Sequence, residues 1–412
     1  MKVIDSIQDL YHWLGDGAPE PAAILGLDLT HRDAAFAAVS LAGSFFLGCK
    51  MNEALIVLAY RQGAPAIAET GVLPPTLPAF GRGLYTVDDL YAGLGADGSF
   101  WETTPDHDGY RWFMKGPGEP KALGLVEMLS ARLHDTVQER EVVALLEGRK
   151  VVAIMGGHDF ARELDPADAA KGKPDVYWQC VEIAKTLAEA DFLIISGGGP
   201  GLMEAANLGA LLAGADAAKV AGVKAILKNH KFGSAEWRAT ALAARKLILG
   251  GADPAGQQQS LGIPTWFYGH EPPNMFASHH AKMFYNSLRE DGLVTWANSG
   301  ILYFEGNGGT VQEIFQDASQ NYYPIPGTAR TPMIFYNTNG YWDRPCDTLS
   351  KPGDTPMDKR KPLLPLVKQL AAEKSFLDAI LVTTDPAEAV AFIVAAAAKA
   401  APTKADIKLH NL

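Results

Sequence analysis

The stretch DFLIISGGGPGLMEAANLGALLAG, Asp191–Gly214, decides the fold. Phe192–Ile195 is a short apolar run of the kind that forms a strand buried on both faces. Gly197, Gly198, Gly199, Pro200 and Gly201 turn the chain sharply, and apolar residues then continue at helical spacing from Leu202. A strand entering a helix through a glycine turn is one unit of a parallel sheet.

The same texture extends in both directions. KVVAIMGG, Lys150–Gly157, is a strand ending in paired glycines, and Tyr177–Ala190 is helical. Downstream, the sequence predicts a strand at Val223–Leu227, a helix across Phe276–Glu290 and the strand GILYF from Gly300. The turn EGNGGT, the helix VQEIFQDASQNYY and the strands PMIFYN and LDAILVTT follow. A last helix begins at Asp385-Pro386, where the aspartate caps and the proline suits the first turn. The expected fold is α/β, a Rossmann-like doubly wound parallel sheet.

Residues 1 to about 80 carry apolar runs at Ala22–Leu29, Ser44–Cys49 and Ala54–Ala59 before the break LPPTLPAF, and read as a small α/β unit. The helix-like TVDDLYAGLG and a long amphipathic stretch over Lys121–Leu146 come next. The texture changes near Gly148, which places an N-terminal α/β accessory domain at 1–148 and the nucleotide-binding domain at 149–412.

Composition narrows the function classes. With 412 residues, 48% of them hydrophobic and 20% charged, the chain has enough apolar material for a sizeable core. The net charge of -11, with scattered Lys and Arg, disfavours a nucleic-acid polymer as partner. Cys49, Cys180 and Cys346 lie far apart, which points away from a disulfide framework or thiolate zinc site and towards reducing cytoplasm. MKVIDSIQDLYHW has no signal-peptide pattern, and no run approaches the roughly 18 apolar residues of a membrane span. The Ala-rich Ala391–Ala401 reads as a terminal helix.

The two glycine turns suit an anion. Glycines after a buried strand let backbone approach a ligand while the N–H groups of the next helix point at it, and phosphate is the natural occupant. The turn at Gly306, Gly308 and Gly309 repeats the arrangement of the first. Neither turn is a Walker A sequence or an intact dinucleotide fingerprint. On spacing alone, Thr310 and Glu313 form a capping box before the helix. Of the histidines, His158 follows the paired glycines at a strand end, whereas His279 and His280 fall on the predicted helix; no metal ligand is assigned. Trp266, Phe267 and Tyr268 read as core packing.

Taken in order, VVAIMGG, GGGPGLMEAANLGA, EPPN at Glu271–Asn274, GILYFEGNGGTVQEIF and PMIFYNTNGYWD resemble the Lonely Guy (LOG) family and the larger bacterial nucleotide 5'-monophosphate nucleosidases. The resemblance covers about residues 150–395 and leaves the first 148 outside. It implies a Rossmann-like fold, a homodimer and hydrolysis of a nucleoside 5'-monophosphate to free base and ribose 5-phosphate, with no cofactor. The family signature PGGxGTxxE falls on Glu305–Glu313, with Glu305 in place of its proline and Asn307 in place of its second glycine. The catalytic glutamate falls on Glu313. The catalytic arginine falls on Arg289 in SLREDGL if one residue is inserted; a rival register lays SHHAKMF there, with Ala281 for the arginine and Lys282 for its lysine. Bound to surface functions instead, Arg289 would pair with an acid such as Asp291.

The resulting expectation puts a nucleotide and its phosphate on Gly156, Gly157, Gly197, Gly198, Gly199, Pro200, Gly201, Glu204, Asn274, Gly306, Gly308, Gly309 and Thr310, with Glu313 and Arg289 catalytic. Asn274 either contacts nucleotide or shapes its loop. A carboxylate at Glu313 would stabilise positive charge at the sugar and orient a water. Glu305 beside the loop would repel an anion unless it turns away or meets a cation. The alternative function is a nucleotide sensor or carrier without turnover; an amino-acid decarboxylase lacks a recognisable pyridoxal-phosphate lysine context.

Overall fold

The computed structural model describes residues 1–68, 73–74, 76–77, 83–116, 118–251, 259–267, 272–324, 329–345 and 359–399. Tyr268, Glu271, Cys346, Ala400 and Ala401 lie outside the described residues. The first unit is a four-stranded parallel sheet, β1 (Lys2–Ile4), β2 (Ala22–Leu25), β3 (Phe45–Leu47) and β4 (Ala66–Ala68), laid side by side in chain order. Ile4 pairs with Ile24 and Ile24 with Phe46 across the strands. These three pack with Leu10, Trp13 and Leu55 from the intervening helices Ile7–Gly15 and Glu53–Arg61.

Between the two sheets come the antiparallel pair β5 (Met114–Gly116) and β6 (Glu119–Pro120) and a 22-residue helix, Leu125–Leu146. That helix places Ala131 and Val137 in one apolar cluster and Val142 and Leu146 in another. Both clusters also contain residues of the C-terminal sheet, so the core runs across Gly148; most buried apolar residues between Ile4 and Ala64 form a third cluster, while Leu25 joins the large one and Ala23 and Leu47 pack against it.

The second sheet has seven strands: β7 (Lys150–Met155), β8 (Phe192–Ser196), β9 (Ser260–Gly262), β10 (His279–His280), β11 (Gly300–Tyr303), β12 (Met333–Tyr336) and β13 (Ile380–Thr383). Every pairing in it is parallel. Alternate residues serve opposite faces: Val152, Ile154 and Ile194 meet the helices Val176–Glu189 and Leu202–Leu211, while Val151, Ala153, Leu193 and Ile195 meet Asn286–Thr295 and Gly308–Tyr322. Helices thus cover both faces of a Rossmann-like sheet. The order is β10-β9-β8-β7-β11-β12-β13, so the chain builds outward from β7 and then returns to β7's other side. The reversal between β7 and β11 opens a crevice at the strands' C-terminal ends, where open α/β sheets bind ligands.

Two predicted elements are corrected. Val223–Leu227 is the end of a helix, Ala217–Ile226, whose N-cap Asp216 accepts from Lys219 N at 2.8 Å. The single helix expected over Phe276–Glu290 is instead extended chain through β10, followed by a helix beginning at Asn286. His279 and His280 are therefore strand residues, and Tyr85 pairs with His280 antiparallel along the free side of β10.

Candidate functional site

A cavity of about 290 Å³ lies at the reversal between β7 and β11. Its lining comes from the end of β7 (Met155, Gly156, Gly157, His158), the first glycine turn (Gly197, Met203), the helix before β11 (Arg289, Glu290) and the loop and helix after it (Asn307, Gly309, Thr310, Glu313). Of the residues expected from sequence, Gly156, Gly157, Gly197, Gly309, Thr310, Arg289 and Glu313 meet here. The rest of the expected set is not on its wall.

The first turn is built as a rigid support. Gly201 has φ +65°, and a side chain there would come within 2.6 Å of the carbonyl oxygens of Gly157 and His158. Only glycine permits that approach. A side chain at Gly197 would strike Met203 Sδ at 2.6 Å, with Arg289 Nη2 3.6 Å away. Asn274 shapes this loop: its N–H donates to Gly198 O at 2.8 Å, and its Nδ2 donates to Gly199 O at 3.2 Å and Asn207 Oδ1 at 2.8 Å. Pro200 lies buried within the same turn.

Glu204, expected at the nucleotide, sits in a buried ion pair. Its two oxygens accept from Arg162 Nε and Nη2 at 2.7 and 2.8 Å, and Tyr177 Oη donates to it at 2.8 Å. All of this is buried, with Arg162 also donating to Trp237 O and Thr240 Oγ1.

The helix Gly308–Tyr322 has Asn307 as N-cap, and no side chain caps it among the described residues. The expected capping box is thus overturned: Thr310 and Glu313 both lie within the helix, and Glu313 turns into the cavity. Gly306 and Gly308 form the approach to this helix, with Tyr341 Oη donating to Gly306 O at 2.6 Å. Four N–H groups at a helix start have no partner within the helix, and their partial positive charge attracts an anion. Here Gly309 and Thr310 bring that end to the cavity wall. Glu305 lies one step outside the lining, and burial pushes its carboxyl up to about 7, which weakens its repulsion of a nearby anion.

Arg289 and Glu290 are 6% and 2% exposed, on a helix whose SLREDGL sequence looks like a solvated turn. Arg289 Nη2 donates to Glu290 Oε1 at 3.1 Å, so its partner is Glu290; Asp291 instead accepts from Gln316 Nε2 at 2.6 Å. Asn286 Nδ2 also donates to Glu290 Oε1, at 3.3 Å. Glu313 and Glu290 line the same cavity, at 5% and 2% exposure. Burial, and secondly the Glu290 charge, hold the Glu313 carboxyl well above the usual carboxylate range against the opposing pull of Arg289. Sequence reasoning missed Glu290, because a carboxylate next to an arginine on a helix ordinarily marks a surface.

The rival arginine–lysine register places its residues elsewhere. Lys282 is buried in an ion pair with Asp106 and stands over the Trp266 ring at 5.2 Å, while Ala281 is core. Trp266 is core as expected, stacked 4.4 Å from Phe284. His158 sits at the cavity mouth and pairs with Asp159 at 2.7 Å. His280 is fully buried, and burial holds its ring down to about 3, so it is neutral. Among the described residues, no cluster of three or more His, Cys, Asp or Glu has the geometry to hold a metal ion. No helix among them is long and apolar enough to cross a membrane. No family model matches this chain, and no curated protein matches it either.

Proposed function

We propose that the chain is a LOG-type phosphoribohydrolase that hydrolyses the N-glycosidic bond of a nucleoside 5'-monophosphate, releasing base and ribose 5-phosphate. The observation that carries this reading is the convergence, at the sheet's reversal, of an uncapped helix start with a buried arginine and a carboxyl that burial holds above the usual carboxylate range. The phosphate takes the helix start at Gly309 and Thr310, against the glycine edge of β7. Arg289 adds positive charge at the opposite wall. Cleavage leaves electrons on the departing base and positive charge on the sugar, so the reaction needs a proton for one and a negative group beside the other. Glu313, held protonated, is the donor to the base; this reverses the carboxylate role that its motif position implies.

The substrate is a phosphorylated small molecule, and the chain acts in the cytoplasm as a homodimer without a cofactor. The experiment incubates the protein with AMP, GMP, CMP, UMP and IMP and measures free base. We expect release from at least one nucleotide and a loss of about 10²–10⁴-fold in Glu313→Ala. Binding of a nucleotide with no turnover across the panel, unchanged in Glu313→Gln, would instead identify a sensor.

A further inference from the structure

We infer that Glu290 is a second catalytic carboxyl, which shares a single proton with Glu313 and takes up the proton of the attacking water. The inference rests on the hydrolytic reading above and adds a residue to it. Both side chains line the same cavity from different helices, Asn286–Thr295 and Gly308–Tyr322. Their exposures are 2% and 5%, so water does not screen one from the other. Two carboxyls in that position cannot both ionise, and one proton held between them relieves the repulsion.

The surroundings decide where the proton rests. Glu290 Oε1 accepts from Arg289 Nη2 and Asn286 Nδ2, one a charged and one an amide donor. Glu290 Oε2 is buried and has no hydrogen-bond partner among the described residues. Glu313 is the other carboxyl on the wall of that cavity. The other groups facing the pair are Tyr303 of β11, whose hydroxyl is committed to Asp317 Oδ2 at 2.8 Å, and His158 across the cavity. With Glu290 Oε1 already an acceptor twice over, the shared proton is assigned to Glu313.

The proton balance closes over one turnover. As the bond between sugar C1' and the base nitrogen breaks, its electron pair leaves with the base and the Glu313 proton goes to that base. Water adds through its oxygen to C1', and the proton it sheds goes to the carboxylate pair. The pair begins and ends with one proton, and ribose 5-phosphate leaves with the new hydroxyl at C1'.

The test reads the pair directly and then through turnover. Infrared difference titration follows buried carboxyl protonation in the wild type and Glu290→Gln, and subtraction of Glu313→Gln isolates Glu313 from Asp317. Glu290→Gln is expected to move the Glu313 titration towards acid and to lower base release by about 10²-fold or more. Ribose 5-phosphate binding should stay within a few-fold. An unmoved Glu313 titration overturns the shared proton, and a moved titration with unchanged base release overturns the catalytic role. If Glu290→Gln does not fold, Glu313→Gln alone must remove a carboxyl signal that titrates above the ordinary range; persistence of that signal also overturns the pair. A wild type that releases no base defeats the hydrolytic reading and with it the catalytic role, while the titration still decides the pairing.

Discussion

Asp317 stands one helical turn beyond Glu313 and is fully buried, with Tyr303 Oη and Asn321 Nδ2 donating to it. Burial pushes its carboxyl up to about 8, so folding takes up a proton at neutral pH. A group raised in this way stabilises the fold fully below the unfolded carboxylate range, and the contribution disappears as pH rises through the folded value. The expected outcome for Asp317→Asn is a flatter dependence of unfolding free energy on pH between about 4 and 8, checked by denaturant titrations across that range. At this scale the sequence was only partly readable. Glu313 and Arg289 come from a motif whose residues the fold does bring to one cavity. Glu290 was missed, and the buried pairing of Glu204 was not legible, because a carboxylate's surroundings depend on partners distant in sequence, here Glu313 and Arg162.

At the scale of elements, buried polar contacts fix the helices that carry the site. Asp135, on the long helix Leu125–Leu146, accepts from the N–H groups of Phe284 and Tyr285 at 3.0 and 2.9 Å, just before the helix bearing Arg289 and Glu290. The Arg162–Glu204 pair similarly ties the helix Leu202–Leu211 to the chain leaving β7 and to Trp237 of the helix Ala235–Leu249. Arg162→Met leaves Glu204 as a buried charge with its cation removed. It should destabilise the fold by about 3–5 kcal/mol, seen as a lower denaturant midpoint with an unchanged slope. The strands flanking both glycine turns were legible because each is a short apolar run ended by glycine. Val223–Leu227 and His279–His280 were not, since a few apolar residues fit either period and neighbouring elements settle the choice.

For the whole molecule, the small apolar cluster between Ile4 and Ala64, joined to the larger core through Leu25, Ala23 and Leu47, and the large clusters around β7–β13 imply two levels of protection. Native-state hydrogen exchange should show β1–β3 opening at lower free energy than β7, β8 and β11, while the helix Leu125–Leu146 exchanges with the larger unit. A single protection level throughout would show that the first sheet does not open independently. The doubly wound order was legible from the strand–turn–helix series, but the reach of the C-terminal core across Gly148 was not. It depends on side chains of a helix that carries buried polar groups such as Ser130, His134 and Asp135 on the same surface as its apolar contacts.

The antiparallel contact of Tyr85 with His280 also bears on self-association. Unpaired backbone groups along a sheet edge can recruit a strand from another molecule. Here the outer strand β10 is two residues long, and Tyr85 and His280 exchange backbone hydrogen bonds at 2.9 and 2.7 Å. The chain's own N-terminal region thus closes this position to edge-to-edge growth and guards the large sheet against aggregation there.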